Sequence, residues 1–361
     1  MNKFNSQVFQ EIAVALSTHI QQWCGTNASF DQNQIPEVRT FGHSFIARYL
    51  VSGGPAQAVL VKIAHRANQS DLQAALEDEF LRKLTRAEMS QLQATWDAFQ
   101  KLGDPNLTAI QPLEYLDQWN AIVMLEVNAK SLRSQLVSPK IGFSQPEATT
   151  QFIQHLRKAS QWLRYYHENV GHGKIMPASK TLMKERLEKI SQDVANHLGT
   201  RFAAQENLAA LKAQIETMDG MELIAQQHGD FHCSNILFTP QNQICILDPR
   251  AESNQMSVYI DLATLIVDLY LKPIPMFTGG LFTRRFLEQS QHAIVENYFK
   301  PGEFSQPLLN FYCACEVMFK WSMDERDFVR RKNLRRLAPL IRIFHTSYMR
   351  RLVKHFISQP G

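Results

Sequence analysis

Apolar residues recur every three or four positions at the start of the chain: Val8, Ile12, Leu16, Ile20 and Trp23, with Gln, Ser, Thr and His between them. This spacing predicts an amphipathic helix, not the continuous apolar stretch and small-residue cleavage site of a signal peptide. The polar stretch TNASFDQNQ then reads as a loop. Beyond it the period shortens, and PEVRT, ARYLV and QAVLVKIA read as three short β-runs separated by GHS and SGGP, whose Gly and Pro form turns. These runs predict a meander of antiparallel strands. Residues 71–84 place Leu72, Ala75, Leu76, Glu79, Phe80 and Lys83 at helical intervals and predict one helix. NAIVMLEV, residues 120–127, predicts a further strand. SLRSQL opens a mainly helical half in which TQFIQHLRKASQWLRYYHE is a long helix. LIAQQHGDFHCSNILF and ICILDPR predict a loop flanked by short β-runs, with helices from there to the end.

The order of elements gives an α+β chain with two lobes: a β-rich lobe with its helices over residues 1–127, and a larger helical lobe over residues 128–361. The joint is expected near residues 126–129, and a cleft between such lobes is the expected place to hold a ligand. Length and composition agree with this, since 45% of the 361 residues are apolar and 20% charged, enough to bury a core. No apolar run approaches the roughly 18 to 20 residues of a spanning helix, so a soluble protein is expected. The five cysteines are sparse and lack a CxxC spacing, which predicts a reduced, cytoplasmic setting. Cys313 and Cys315, two apart on a helix, point about 200° apart and make a poor pair of metal ligands.

Charge is unevenly spread. Residues 326–361 carry ten Lys/Arg against one acid, Asp327, a net +9 that leaves −5 for the rest of the chain. Arg330, Arg331, Lys332, Arg335, Arg336, Arg350, Arg351 and Lys354 alternate with Leu334, Leu337, Leu340, Ile341, Phe344, Leu352 and Phe356. Such a segment is a terminal helix pair with a solvated face, or a surface for an anionic acceptor or for peripheral contact with an anionic membrane. It lacks the aromatic-interleaved strands of a nucleic-acid module, so nucleic acid is not an expected partner.

The chemistry concentrates in His228-Gly229-Asp230-Phe231-His232-Cys233-Ser234-Asn235 and in Ile246-Leu247-Asp248-Pro249-Arg250. Asp230, Asn235 and Asp248 sit in or beside loops between apolar runs. Mg²⁺ prefers oxygen ligands and keeps several waters, so a carboxylate, an amide oxygen and nucleotide phosphates make a plausible set. Turn chemistry alone also uses Asp and Asn, but it does not demand this spacing. Lys62 shares a strand face with Ala58 and Leu60, and a lysine bordered by Val and Ile calls for a partner. Backbone N–H groups of Gly42-His43-Ser44 could cradle phosphate, with the Ser44 hydroxyl assisting; a single Gly between strands equally makes a plain turn.

HGDxxxxN followed thirteen residues later by an Asp in ILDP resembles the aminoglycoside phosphotransferase and choline kinase-like family, relatives of the protein kinases. The order of elements matches over roughly residues 38–270. The resemblance implies a small-molecule kinase of two-lobed kinase-like fold that uses ATP, or GTP in its place, with Mg²⁺. It implies that Asp230 takes the proton of the acceptor hydroxyl, that Asn235 and Asp248 bind the metal, and that Lys62 binds phosphate. It also implies Glu79 as the ion-pair partner of Lys62, with Glu77 as a rival on another helix face. Met124 to Val127, including Glu126, resembles the hinge that holds the nucleobase, although Asn128-Ala129 stands where relatives often carry Pro-Gly. An Asp at position 261 is expected to cap a helix or anchor the loop at His228. The acceptor is expected to be a small metabolite, a sugar, a glycan or a lipid-linked sugar, neutral or anionic. A regulatory pseudokinase is the competing reading, favoured by the single-glycine loop and opposed by the intact Lys62, Asp230, Asn235 and Asp248.

Overall fold

A computed structural model describes residues 6–31, 35–66, 71–137, 146–198, 205–250, 255–272, 284–330 and 338–359. The chain divides into two compact units, one of Met1–Lys130 with Leu237–Glu252, the other of Ser131–Ile236 with Ser253–Gly361. The first unit thus takes back a later segment that a single division near residue 127 does not contain.

In the first unit the N-terminal helical pattern breaks into α1 (Ser6–Ser17) and α2 (Ile20–Cys24). The three β-runs form β1 (Glu37–Thr40), β2 (Ser44–Leu50) and β3 (Ala58–Ala64). The segment expected to be one helix is two, α3 (Leu72–Glu77) and α4 (Glu79–Leu102). Asp78 separates them: its extended backbone ends one helix, and its carboxylate accepts the N–H groups of Phe80 and Leu81 to start the next. Asp competes for backbone donors in this way and so favours caps over helix interiors.

Two short strands that the sequence did not announce follow, β4 (Leu107–Ala109) and β5 (Pro112–Leu116), and then β6 (Ala121–Leu125). The antiparallel sheet runs β1-β2-β3-β6-β5. Alternation along β3 gives the sheet two different faces. Val59, Val61 and Ile63 pack with Phe9, Ile12 and Leu16 of α1, while Leu60 faces Leu92, Ile122 and Met124 on the other side. Each fully buried Ile, Leu or Phe contributes about 1.5–3 kcal/mol, so α1 is part of the core and not an appendage.

The second unit opens near β7 (Lys130–Ser131) with α5 (Leu132–Leu136) and the long α6 (Pro146–Asn169). A three-stranded antiparallel sheet is built from β8 (Lys174–Pro177), β9 (Met221–Gln226) and β12 (Gln255–Ser257), with β9 in the middle. Helices α7 (Lys180–Leu198) and α8 (Gln205–Thr217) lie between β8 and β9 in the chain. β10 (Ile236–Phe238) and β11 (Ile244–Ile246) follow the HGD loop, and β11 lies in the segment that belongs to the first unit, where it pairs in parallel with β4. After β12 come α9 (Tyr259–Leu271), α10 (Arg284–Tyr298), α11 (Gln306–Arg330) and α12 (Ala338–Ser358). Among the described residues no helix is long and apolar enough to cross a membrane.

Candidate functional site

In the first unit, Lys62 lies on the β3 face opposite α1, where its ammonium is nearly out of solvent. It donates to Glu88 Oε1 at 2.7 Å and to Asp248 Oδ1 at 2.8 Å. Burial pulls the lysine pKa down, but the two carboxylates outweigh it and hold the ammonium above its ordinary range. Burial raises the Glu88 carboxyl, and Lys62 pulls it back.

The expected partner, Glu79, is not the partner. It sits in the first turn of α4, has a side chain 79% exposed and, among the described residues, pairs with Arg82 at 3.6 Å. Because α4 starts afresh at the Asp78 cap, the stripe it turns inward is Leu81, Thr85, Leu92, Thr95 and Phe99. Glu88 falls on that stripe at helical spacing and brings a carboxylate to Lys62. Glu77, the rival, ends α3 and accepts from Gln73. An acid on an otherwise inward stripe was the signal available in the sequence, once the helix is extended past residue 84.

Asp248 follows β11 and has φ +55. The left-handed region costs an L-residue about 1–2 kcal/mol, and the residue before a proline is ordinarily extended. The strain marks a position where the direction of the side chain matters. The carboxylate is half exposed, with Oδ1 against Lys62 and Oδ2 as a further oxygen donor.

An apolar group lies close by in the same unit: Leu60, Met124, Val127 and Leu247, packed with Ile122 and Cys245. Glu126 is tied twice. Its N–H donates to Ala58 O at 3.1 Å, and its carboxylate accepts both Arg48 Nε and Nη2, at 2.5 and 2.7 Å. Gly42 lies in the turn that links β1 to β2, closed by Phe41 N–H on Ser44 O at 2.8 Å; a Cβ there would meet nothing. Ser44 is buried at the start of β2, opposite Ala64.

In the second unit the HGD loop is held by α9. Asp261 accepts His228 N–H at 2.7 Å and Gly229 N–H at 2.9 Å. Asp261 therefore anchors the loop and does not cap its helix, whose N-cap is Val258. Burial works against its charge, but the bond from His167 and the Gly229 amide overcome it and keep the carboxyl below its ordinary range. Asp268 Oδ2 accepts Cys233 N–H at 3.0 Å, and its Oδ1 pairs with Lys272 at 2.6 Å. Gly229 has φ +79, a conformation suited to glycine, and the turn it makes leads directly to Asp230.

Asn235 Nδ2 donates to Asp230 Oδ2 at 2.9 Å and to Asp230 O at 3.0 Å. Both amide hydrogens are thus used toward Asp230, which leaves the Asn235 Oδ1 as a hard oxygen donor. His228 is buried among the rings of Trp162, Tyr166 and Phe231, a packed residue. Asn235 Oδ1 in the second unit and Asp248 Oδ2 in the first are each a hard oxygen donor of the kind Mg²⁺ takes. Among the described residues no cluster of three or more His, Cys, Asp or Glu is placed to hold a metal alone.

No protein-family model and no curated protein matches the sequence. Solved structures do match in fold. The choline kinase LicA of Streptococcus pneumoniae superposes with a TM-score of 0.52 at 11% identity, covering 97% of this chain and 100% of that one. A glucosamine kinase in complex with glucosamine, ADP and inorganic phosphate gives 0.53 at 14% identity, covering 95% and 85%. An amicoumacin kinase holding AMP-PNP and Ca²⁺ gives 0.52 at 12% identity, covering 97% and 96%. The chain has the kinase-like fold of the aminoglycoside phosphotransferase and choline kinase-like proteins.

Proposed function

We propose that this protein transfers the terminal phosphoryl group of ATP to a hydroxyl of a small metabolite, assisted by a divalent cation. The observation that carries the reading is the buried ammonium of Lys62, fixed between Glu88 and the strained Asp248. Such an arrangement stabilises a lysine where phosphate would bind, and it has no evident packing purpose. Lys62 holds phosphate oxygens, and Glu88 keeps the ammonium oriented while the phosphate is absent. Leu60, Met124, Val127 and Leu247 offer an apolar surface to a nucleobase. Asp230 orients the acceptor hydroxyl and takes its proton, with Asn235 fixing the rotamer of its carboxylate. Asn235 Oδ1 and Asp248 Oδ2 would hold Mg²⁺, which when bound neutralises charge on the transferring phosphate.

The acceptors named for the neighbours are choline, glucosamine and amicoumacin. For this chain the acceptor is a sugar or other small hydroxyl compound, neutral or anionic, because the +9 of residues 326–361 disfavours a polycation. Arg331, Lys332, Arg335 and Arg336, and the side chains of Arg330 and Arg342, lie outside the described residues. Arg350, Arg351 and Lys354 are exposed on α12, where peripheral contact with an anionic membrane is also proposed.

The test is ADP release from ATP and Mg²⁺ with a panel of hydroxyl compounds: choline, ethanolamine, glucosamine, neutral sugars, sugar phosphates and a kanamycin-type aminoglycoside. Acceptor-dependent release that Asp230→Asn abolishes is the expected result. Nucleotide binding without transfer to any acceptor would favour the pseudokinase, and turnover confined to the aminoglycoside would sink the acceptor class.

A further inference from the structure

His167 on α6 stands between two buried groups. Its Nε2 is 3.0 Å from Asp261 Oδ2, and its Nδ1 is 2.6 Å from the hydroxyl of Tyr298, at the end of α10. All three side chains are essentially solvent-free. Asp261 is also the acceptor for the His228 and Gly229 amides that shape the turn before Asp230.

The direction of each hydrogen bond follows from the chemistry of the groups. An ionised carboxylate only accepts, so the proton between His167 and Asp261 sits on Nε2. A neutral ring with Nε2–H leaves Nδ1 as an acceptor, and Tyr298 must then donate its O–H. The phenol can do so because burial holds it firmly protonated. Were the hydroxyl absent, Asp261 would still keep the proton on Nε2, but the buried Nδ1 would lose its donor and the ring the bond that fixes its plane. In the other tautomer a lone pair on Nε2 would face the Asp261 carboxylate.

Tyr298 is itself fixed from α6. Arg164, three residues before His167 and on the same helix face, lies over the Tyr298 ring at 5.6 Å. Its guanidinium donates to Glu303 and Glu168, and reaches the Tyr298 carbonyl at 3.5 Å.

We propose that Tyr298 is a positioning residue for the HGD loop: by donating to Nδ1 it holds the His167 ring in place, and through His167 and Asp261 it holds the backbone turn that aims Asp230. The step from loop geometry to turnover rests on the phosphotransferase reading; the tautomer and the loop geometry do not.

The test uses the full chain and Tyr298→Phe, which keeps the ring and removes only the hydroxyl. In the wild type, nitrogen-detected histidine NMR should show His167 neutral with the proton on Nε2 at neutral pH. A proton on Nδ1, or a doubly protonated ring, would overturn the proposal before any variant is made. In Tyr298→Phe the proton should stay on Nε2 while the His167 Nδ1 resonance shifts with the loss of its hydrogen bond. Amide exchange at His228 and Gly229 should quicken about tenfold, while Val61 and Val123 in the first unit stay protected. If wild type turns over an acceptor, kcat of the variant should fall about tenfold with KM for ATP within about twofold. An unchanged Nδ1 resonance with unchanged exchange in a folded variant would refute the role, as would a uniform loss of protection across the chain. A wild type that transfers nothing would count against the phosphotransferase reading alone.

Discussion

Asp261 and Asp268, two turns apart on α9, accept backbone N–H groups from opposite ends of the loop that carries Asp230. Seven residues is close to two full turns, so both carboxylates leave the helix on one side. One helix face thereby sets the span of the loop. Asp261 accepts a hydrogen bond from His167 and Asp268 pairs with Lys272, so neither buried carboxylate lacks a side-chain partner.

The depressed carboxyl of Asp261 gives a pH dependence with a definite sign. Below about pH 4 the unfolded chain takes up this proton more readily than the folded one. The stabilisation is complete above that range and is lost as pH falls through the folded-state value. Asp261→Asn should flatten the acid limb of stability, measured as urea midpoints from about pH 6 down to about pH 3. An unaltered limb would remove Asp261 from the acid-labile charges.

Glu88 and Glu79 should behave oppositely. Glu88→Ala leaves the buried Lys62 short of a carboxylate, and breaking such a pair costs about 3–5 kcal/mol of stability. Nucleotide affinity should drop with it. Glu79→Ala should stay within about 0.5 kcal/mol and keep wild-type affinity. A Lys62→Met, Glu88→Gln cycle should be clearly non-additive, and strict additivity would break the assignment.

Asp230 and Asp248 should separate chemistry from binding. Asp230→Asn should lower transfer by about 10²–10⁴ and leave titrations with Mg²⁺-nucleotide unchanged. Asp248→Asn should weaken those titrations as well. Since Asn tolerates the left-handed region, Asp248→Ala should cost about 1 kcal/mol more stability than Asp248→Asn. Equal stability of the two would argue that the φ of +55 carries no strain.

The Arg48–Glu126 pair is partly solvated, so Glu126→Gln should change stability by no more than about 1 kcal/mol. With the segment at Met124–Val127 loosened, KM for ATP should still rise severalfold. An unchanged KM would place the nucleobase elsewhere.

Much of this was legible in the chain. The β3 alternation placed Lys62 on one strand face with Ala58 and Leu60, and the spacing of Asp230, Asn235 and Asp248 singled out both loops. Glu88 was not, because it lies beyond residue 84, past the helical spacing read over residues 71–84, on a helix that continues to Leu102. β5 was hidden by Pro112 and by the register shift between Pro112 and Glu114, which spoil a period of two. Asp268 and Tyr298 act at distances along the chain where no periodicity reports a partner.

Leu237–Glu252 belongs with residues that precede it by more than a hundred positions. Ile244 of β11 finds Leu107 of β4 only after the whole HGD loop has been made. During synthesis the ammonium of Lys62 therefore waits with one carboxylate, that of Glu88, until Asp248 emerges. Loop closure over such a length adds little to the free-energy cost, since that cost grows only logarithmically, but it delays the event. A nascent chain stopped before residue 248 would have the sheet and α4 without its second anion. On the proposed function, competence to hold a phosphate is thus one of the last properties the first unit acquires.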